Sequence, residues 1–265
     1  MSTATVRLLE ALDLPSEARV DQRIPKKLLT EHGAPTTADK RLIQDAIVDL
    51  HWVAALKPNS VGVPSFKDSE REYLEIAVLM AELRSDSKSS RLLELIHRAV
   101  PYPVILLSGD AEGERVSFSL AHKRDSQNEA GKTVVESLHH EEITQSDPLF
   151  GDFSGSIALK NQGRADMFAL YDAWMRRLFA LQASKVTGCL PNVGSGEEMQ
   201  ALRADLDKIA TLTKDLGILR NSAAKEKQMN RRVETNVRIK RLQAEIEDIS
   251  RRLSGSANTS RTANE

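Results

Sequence analysis

The sequence predicts an α+β protein: a two-layer α/β domain with a mixed sheet, followed by long, coiled-coil-like C-terminal helices. Three observations carry this. From residue 197 to 253 there is no proline, and apolar residues return every three or four positions. Residues 73–83 (YLEIAVLMAEL) are the most hydrophobic segment; their Ile, Val and Leu content and charged flanks indicate a buried strand, although periodicity alone also admits a helix. Val116, Phe118 and Leu120 alternate with Ser117, Ser119 and Ala121, the period of a half-buried strand.

The elements follow in order. A short helix over 6–12 ends before Pro15. Pro25 stands at the first position of a helix over 25–31, and Gly33 stops it. Thr36 or Thr37 caps a stronger helix with Leu42, Ile43, Ala46, Ile47 and Leu50 on one face. A strand over 51–56 is closed by Pro58. After the apolar segment, Ser87 or Ser89 caps a helix that runs to Val100 and is stopped by Pro101. Strands over 103–107 and 116–121 are joined by a glycine-containing turn, and another strand covers 132–139. Residues 145–163, rich in Gly, Ser and Asp, mark a domain boundary. A helix over 166–185 buries Leu170, Tyr171, Trp174, Leu178 and Leu181, and a turn over 188–196 leads into the long helix. The expected domains are a globular 1–150, a helical extension over 164–254 (helix 166–185, long helix 197–253) and a disordered polar tail over 255–265.

The long helix carries the functional argument. Its apolar seam runs through Leu202, Leu206, Ile209 and Leu216, then Val233, Val237, Leu242, Ile246, Ile249 and Leu253. A seam this narrow forms no core alone and needs another helix, from this chain or a second one. As a single rod it spans about 85 Å, and its far part is left for a partner. The alternative is a break near Asn221 and Ser222 that folds the chain back as a hairpin. The second half of the seam, Val233 to Leu253, therefore names the partner-binding candidates. Between Arg220 and Arg241 stand eight Lys and Arg against two Glu. Lys225, Lys227, Arg231, Arg232 and Arg238 are the nucleic-acid-binding candidates, because basic helical faces bind phosphate.

Other classes are bounded. Formal net charge is −1, so the whole molecule is no magnet for polyanions. The one cysteine, Cys189, excludes an intrachain disulfide and a cysteine-based zinc site. The longest apolar run, 76–81, is too short for a bilayer, and no signal-peptide core is present; a reducing, cytoplasmic location is expected. Phosphate-binding glycine loops and the serine-hydrolase elbow are absent, and neither cofactor nor metal is expected. A polar set at strand and helix ends, Glu75, His97, His122, Lys123 and Lys132, supplies catalytic candidates for general acid–base or nuclease-like chemistry. Its spacing matches no specific mechanism, and a histidine in a helix C-terminal turn is commonly a dipole partner. His139, His140, Glu141 and Glu142 are adjacent on a strand and so alternate between faces.

Several stretches occur together and in order: IPKKLL (24–29), TTADKRLI (36–43), HWVAALKP (51–58), REYLEIAV (71–78), LIHRAVPYPVILL (95–107), SLAHKR (119–124), NEAGK (128–132) and KEKQMNRRVETN (225–236). On these the chain resembles the bacterial family of domain of unknown function 4391. The resemblance implies no catalytic residues. It implies an accessory role beside Swi2/Snf2-type helicases and DNA methyltransferases in phage defence. The expected function is thus an interaction subunit of a DNA-processing or phage-defence complex that binds a partner protein through its C-terminal helix. The alternatives are a nuclease-like enzyme using the polar set and a homo-oligomeric coiled-coil scaffold.

Overall fold

The structure, a computed structural model, describes residues 2–84, 90–110, 113–126 and 133–262. Two compact units meet at the 178/179 bond. In chain order the first unit contains α1 (Thr3–Ala11), β1 (Arg19–Arg23), α2 (Lys26–His32), α3 (Thr37–Ala46), β2 (Ile47–Leu56), α4 (Pro58–Val61), β3 (Phe66–Lys67) and β4 (Glu72–Tyr73). It continues with β5 (Ile76–Leu83), α5 (Ser90–Ala99), β6 (Val104–Asp110), β7 (Arg115–Asp125), β8 (Thr133–Thr144) and α6 (Phe150–Ser156). Helix α7 (Met167–Thr187) crosses the unit boundary.

A six-stranded sheet in the order β1-β2-β5-β6-β7-β8 forms the centre of this unit. Among the described residues only β5 and β6 pair in parallel, because α5 carries the chain back across the sheet between them. Ala77, Leu79, Ala81 and Leu83 of β5 share a core with Ile43 of α3 and Leu92 and Ile96 of α5. On the other face α1 packs on β6 and β7, and Phe118 meets Phe153 of α6 edge-on. There the Tyr171 hydroxyl of α7 accepts from the Ala121 amide and lies 2.8 Å from the Val104 carbonyl. The mixed class is the one the sequence predicts. What the sequence did not show is that helices also cover the second face, which makes the sheet the middle of three layers.

Several elements differ in extent. The helix expected to bury Ile47 and Leu50 ends at Ala46, and β2 begins at once. Ile47 and Val48 are β-branched, and Ile47 pairs with Leu83. The polar edge strand β1 gave no apolar signal. Residues 145–163 are not a boundary loop: Phe150, Phe153, Ile157 and Leu159 are buried, so this stretch belongs to the first unit. Gly33 does end α2, and a Cβ there would come within 2.6 Å of the Leu95 carbonyl oxygen. The expected caps Ser87 and Ser89 lie outside the described residues.

The second unit, Phe179–Glu265, holds α8 (Gly196–Lys225) and α9 (Met229–Thr262). The long helix is therefore not one rod. Glu226 adopts extended backbone, and three residues separate the helices. The ion pairs Asp205–Arg252, 2.9 Å, and Lys208–Glu245, 2.7 Å, run in opposite sequence directions, so the helices form an antiparallel hairpin. The break falls beyond the alternative position near Ser222. Folding back lets the seam bury itself: Leu202, Ile209 and Leu216 of α8 and Ile249 and Leu253 of α9 are all buried. A reciprocal Ser195–Glu198 capping box starts α8. The stretch expected as a disordered tail from 255 is helical as far as Thr262.

Candidate functional site

The polar set of the first unit divides between the two faces of the sheet, because successive residues of a strand point opposite ways. His97, in the last turn of α5, has no exposed surface. Its Nε2 lies 3.0 Å from the Ser119 hydroxyl of β7, and Nδ1 has no partner among the described residues. Burial, with the charges of Lys123 and His140, holds its pKa well below the ordinary value. Lys123 Nζ donates to the His97 carbonyl at 2.7 Å and to that of Val100. These are the orphan carbonyls at the end of α5, so Lys123 caps that helix. Burial pushes its ammonium down to about 7. A serine, a histidine and a lysine thus stand together, yet exposures of 0%, 0% and 3% leave a substrate no approach.

His122 lies on the opposite face. Its Nδ1 is 2.7 Å from the hydroxyl of Tyr73, and Nε2 faces Asp172 of α7 at 3.6 Å. Asp172 is also bonded to Arg176, one helical turn on. The Tyr73 hydroxyl, whose pKa burial raises, stays protonated and donates to Nδ1, while the Lys123 amide points to its oxygen at 3.4 Å. Phe168 and Tyr171 close around the imidazole. Nδ1 is engaged by Tyr73, while Nε2, 3.6 Å from Asp172, is beyond hydrogen-bond reach of it. Glu75 stands apart, almost buried at the start of β5, with Lys57 Nζ 3.3 Å from one carboxylate oxygen. Lys132 lies outside the described residues. The expected catalytic set is therefore not one site: His97 and Lys123 come together, while His122 and Glu75 do not join them. Among the described residues no group of three or more His, Cys, Asp or Glu could hold a metal ion.

Tyr73, Asp172, Arg176 and Ser119 were not singled out from the sequence. The four-residue spacing of Asp172 and Arg176 was readable as a helical ion pair. That it meets a histidine of β7 depends on how α7 lies on the sheet.

The hairpin separates the expected partner-binding residues into two classes. Ile249 and Leu253, with exposures of 2% and 7%, are spent on the fold, and Leu242 and Ile246 are half-buried. Val233 and Val237 stay exposed. With Met229 they recur every four residues, one stripe on α9. At 100° per residue this stripe lies on the side roughly opposite Leu242, Ile246, Ile249 and Leu253, and so away from α8. The five nucleic-acid-binding candidates are all exposed at the closed end of the hairpin. Among the described residues none of them forms an ion pair, whereas the other half of the hairpin is cross-linked by Lys208–Glu245 and Arg252–Asp205.

Fold and surface thus define a mixed α/β domain joined to a helical hairpin whose charged, partly apolar closed end is open to solvent. The chain belongs to the family described as domain of unknown function (DUF4391), whose family model matches residues 12–246. Searches of curated proteins and of solved structures return no match. Among the described residues no helix is long and apolar enough to cross a membrane.

Proposed function

We propose that this protein is a non-catalytic interaction subunit that binds a partner protein through the outer face of α9. The observation that carries the reading is the stripe of Met229, Val233 and Val237, exposed by 65%, 53% and 45% at four-residue spacing. A stripe of this period is what a partner helix reads in helix-to-groove recognition. The burial of His97 and Lys123 supports a non-catalytic role. The family resemblance supports the setting: a cytoplasmic DNA-processing or phage-defence complex whose partner is a helicase or DNA methyltransferase.

The test is purification of the native complex from the host with the wild-type chain and with Val233→Asp/Val237→Asp. Both positions are exposed, so the variant should keep its helix content. A helicase or methyltransferase that co-purifies with the wild type and is lost from the variant supports the reading. An unchanged complex places the contact elsewhere, and a wild-type chain that pairs only with itself in light scattering favours the homo-oligomeric scaffold. Cleavage of DNA or RNA with Mg²⁺ or Mn²⁺ that is lost on Glu75→Gln would sink the non-catalytic reading.

A further inference from the structure

The hairpin is electrically polarised. Residues 218–241, at its closed end, hold eight Lys and Arg against two Glu, a net +6. The rest, 196–217 with 242–254, holds five basic against eight acidic side chains, a net −3. The chain as a whole sums to only −1, so the positive charge is concentrated here. Along α9 the basic stretch 229–241 is about 18 Å long and holds five Lys and Arg against one Glu, roughly one net positive charge per 4.5 Å. Duplex DNA carries about one negative charge per 1.7 Å. Arg220, Lys225, Lys227, Arg231, Arg232 and Arg238 are exposed and have no ion-pair partner among the described residues, and the same holds for Lys240 and Arg241. The first turn of α9 contains no acidic residue of its own, and only the Glu226 carboxylate just ahead of it accepts from the Gln228 amide, among the described residues.

The placement of the cations says what they fit. At 100° per residue, Arg241, Arg238, Arg231 and Arg232 stand roughly 120°, 180°, 200° and 300° around α9 from Met229, while the apolar stripe stays within about 80°. An acidic helix would engage one such face. A charge that reaches round the helix and through the connection at Lys225 and Lys227 fits a polyanion wider than a helix. Residues 218–241 contain no aromatic side chain, so there is no stacking platform for unpaired bases, and the ligand is a duplex. A single helix, about 10–12 Å across, matches the major groove of B-form DNA, about 12 Å wide; the deep, narrow major groove of duplex RNA does not admit side chains.

We infer that the closed end of the α8–α9 hairpin binds double-stranded DNA through its phosphate backbone, with Lys225, Lys227, Arg231, Arg232 and Arg238 as the contacting cations. This stands apart from the protein-partner reading, since it uses the side chains off the apolar stripe.

The experiment is fluorescence anisotropy of the full chain with a labelled mixed-sequence DNA duplex of roughly 30 base pairs, titrated at 50 and 200 mM salt. Five neutralised phosphates give a slope of log affinity against log salt of about −4.5, a loss of about 500-fold over this range. Lys225→Gln/Lys227→Gln/Arg231→Gln/Arg232→Gln should reduce the slope by about 3.6, with helix content unchanged in circular dichroism. Arg231→Gln alone should reduce it by about 0.9, which keeps the test decisive if the fourfold variant does not fold. Val233→Ser/Val237→Ser should bind DNA as the wild type does. No duplex binding at 50 mM salt, or an unchanged slope in Arg231→Gln, overturns the inference. So does an RNA duplex bound as tightly as DNA, or polyglutamate that displaces the duplex at equal charge.

Discussion

Lowering the pH from 7 to 5 should weaken the sheet domain, and His97 supplies a calculable share of the loss. The imidazole is fully buried, against Ser119, with Lys123 and His140 near enough for their charges to be felt. Burial and those charges keep it neutral well below the ordinary histidine range. In the unfolded chain the same side chain, with an ordinary pKa near 6.5, takes up a proton between pH 7 and 5. The unfolded state then binds more protons than the folded state, and stability falls with pH by about 2 kcal/mol across this window. Lys123 acts elsewhere: held down to about 7 against an ordinary 10.5, it adds stability as the pH rises between those values and little between 5 and 7. Asp39, which Arg91 and Thr36 hold down to about 2, loses its contribution only as the pH falls from about 4 toward 2. The assay is urea denaturation at pH 7, 6 and 5, followed by the fluorescence of Trp52 and Trp174, on the wild type and His97→Gln. The variant should lose about 2 kcal/mol less than the wild type between pH 7 and 5. The same pH slope in both proteins would refute the assignment and mean that folded His97 takes up its proton as readily as the unfolded one.

Four further outcomes are expected. Val78→Asp, at a position with no exposed surface between β2 and β6, buries an unpaired charge and should cost several kcal/mol in denaturant titration. Tyr171→Phe removes the hydroxyl shared by the main chain of Val104 and Ala121 and should cost about 1–3 kcal/mol in the same assay, with the fold retained. Thr36→Ala loses the side-chain oxygen that accepts from the Asp39 amide at the start of α3, for about 1 kcal/mol measured by thermal unfolding. Ile249→Ala opens a cavity in the hairpin and should cost the second unit about 2–5 kcal/mol, read as an earlier loss of helical circular dichroism than in the wild type.

How legible the fold was depended on the kind of signal each element carried. Strand β5 was readable because it is buried almost throughout and so is written as an apolar run. Strand β7 was readable from its alternation, and the helices before and after the sheet from their caps and stops. The misses have physical causes. Strand β1 is an edge strand of exposed polar residues, so no burial constrains its composition. The end of α3 was misplaced because Ile43, Ala46, Ile47 and Leu50 are apolar whether the chain there is helix or strand; all four are buried in the sheet's core. Helix α6 is only seven residues long, too short for a period to show through its glycines and serines.

By itself the sequence determined the mixed α/β class, the six or so buried segments that make it, the long C-terminal helical stretch and the concentration of cations at its middle. Those follow from composition and period, which act residue by residue. Only the tertiary structure decided three things. It put His122 and Lys123, neighbours in sequence, on opposite faces of the sheet, with one bonded to Tyr73 and the other capping α5. It folded the seam back on itself, so that Ile249 and Leu253 are spent and Val233 and Val237 remain exposed. It placed the polar, net-positive middle of the seam at the closed end of a hairpin. A periodic pattern states that a face must be buried, but which neighbour buries it is a matter of packing, and packing is a property of the whole chain.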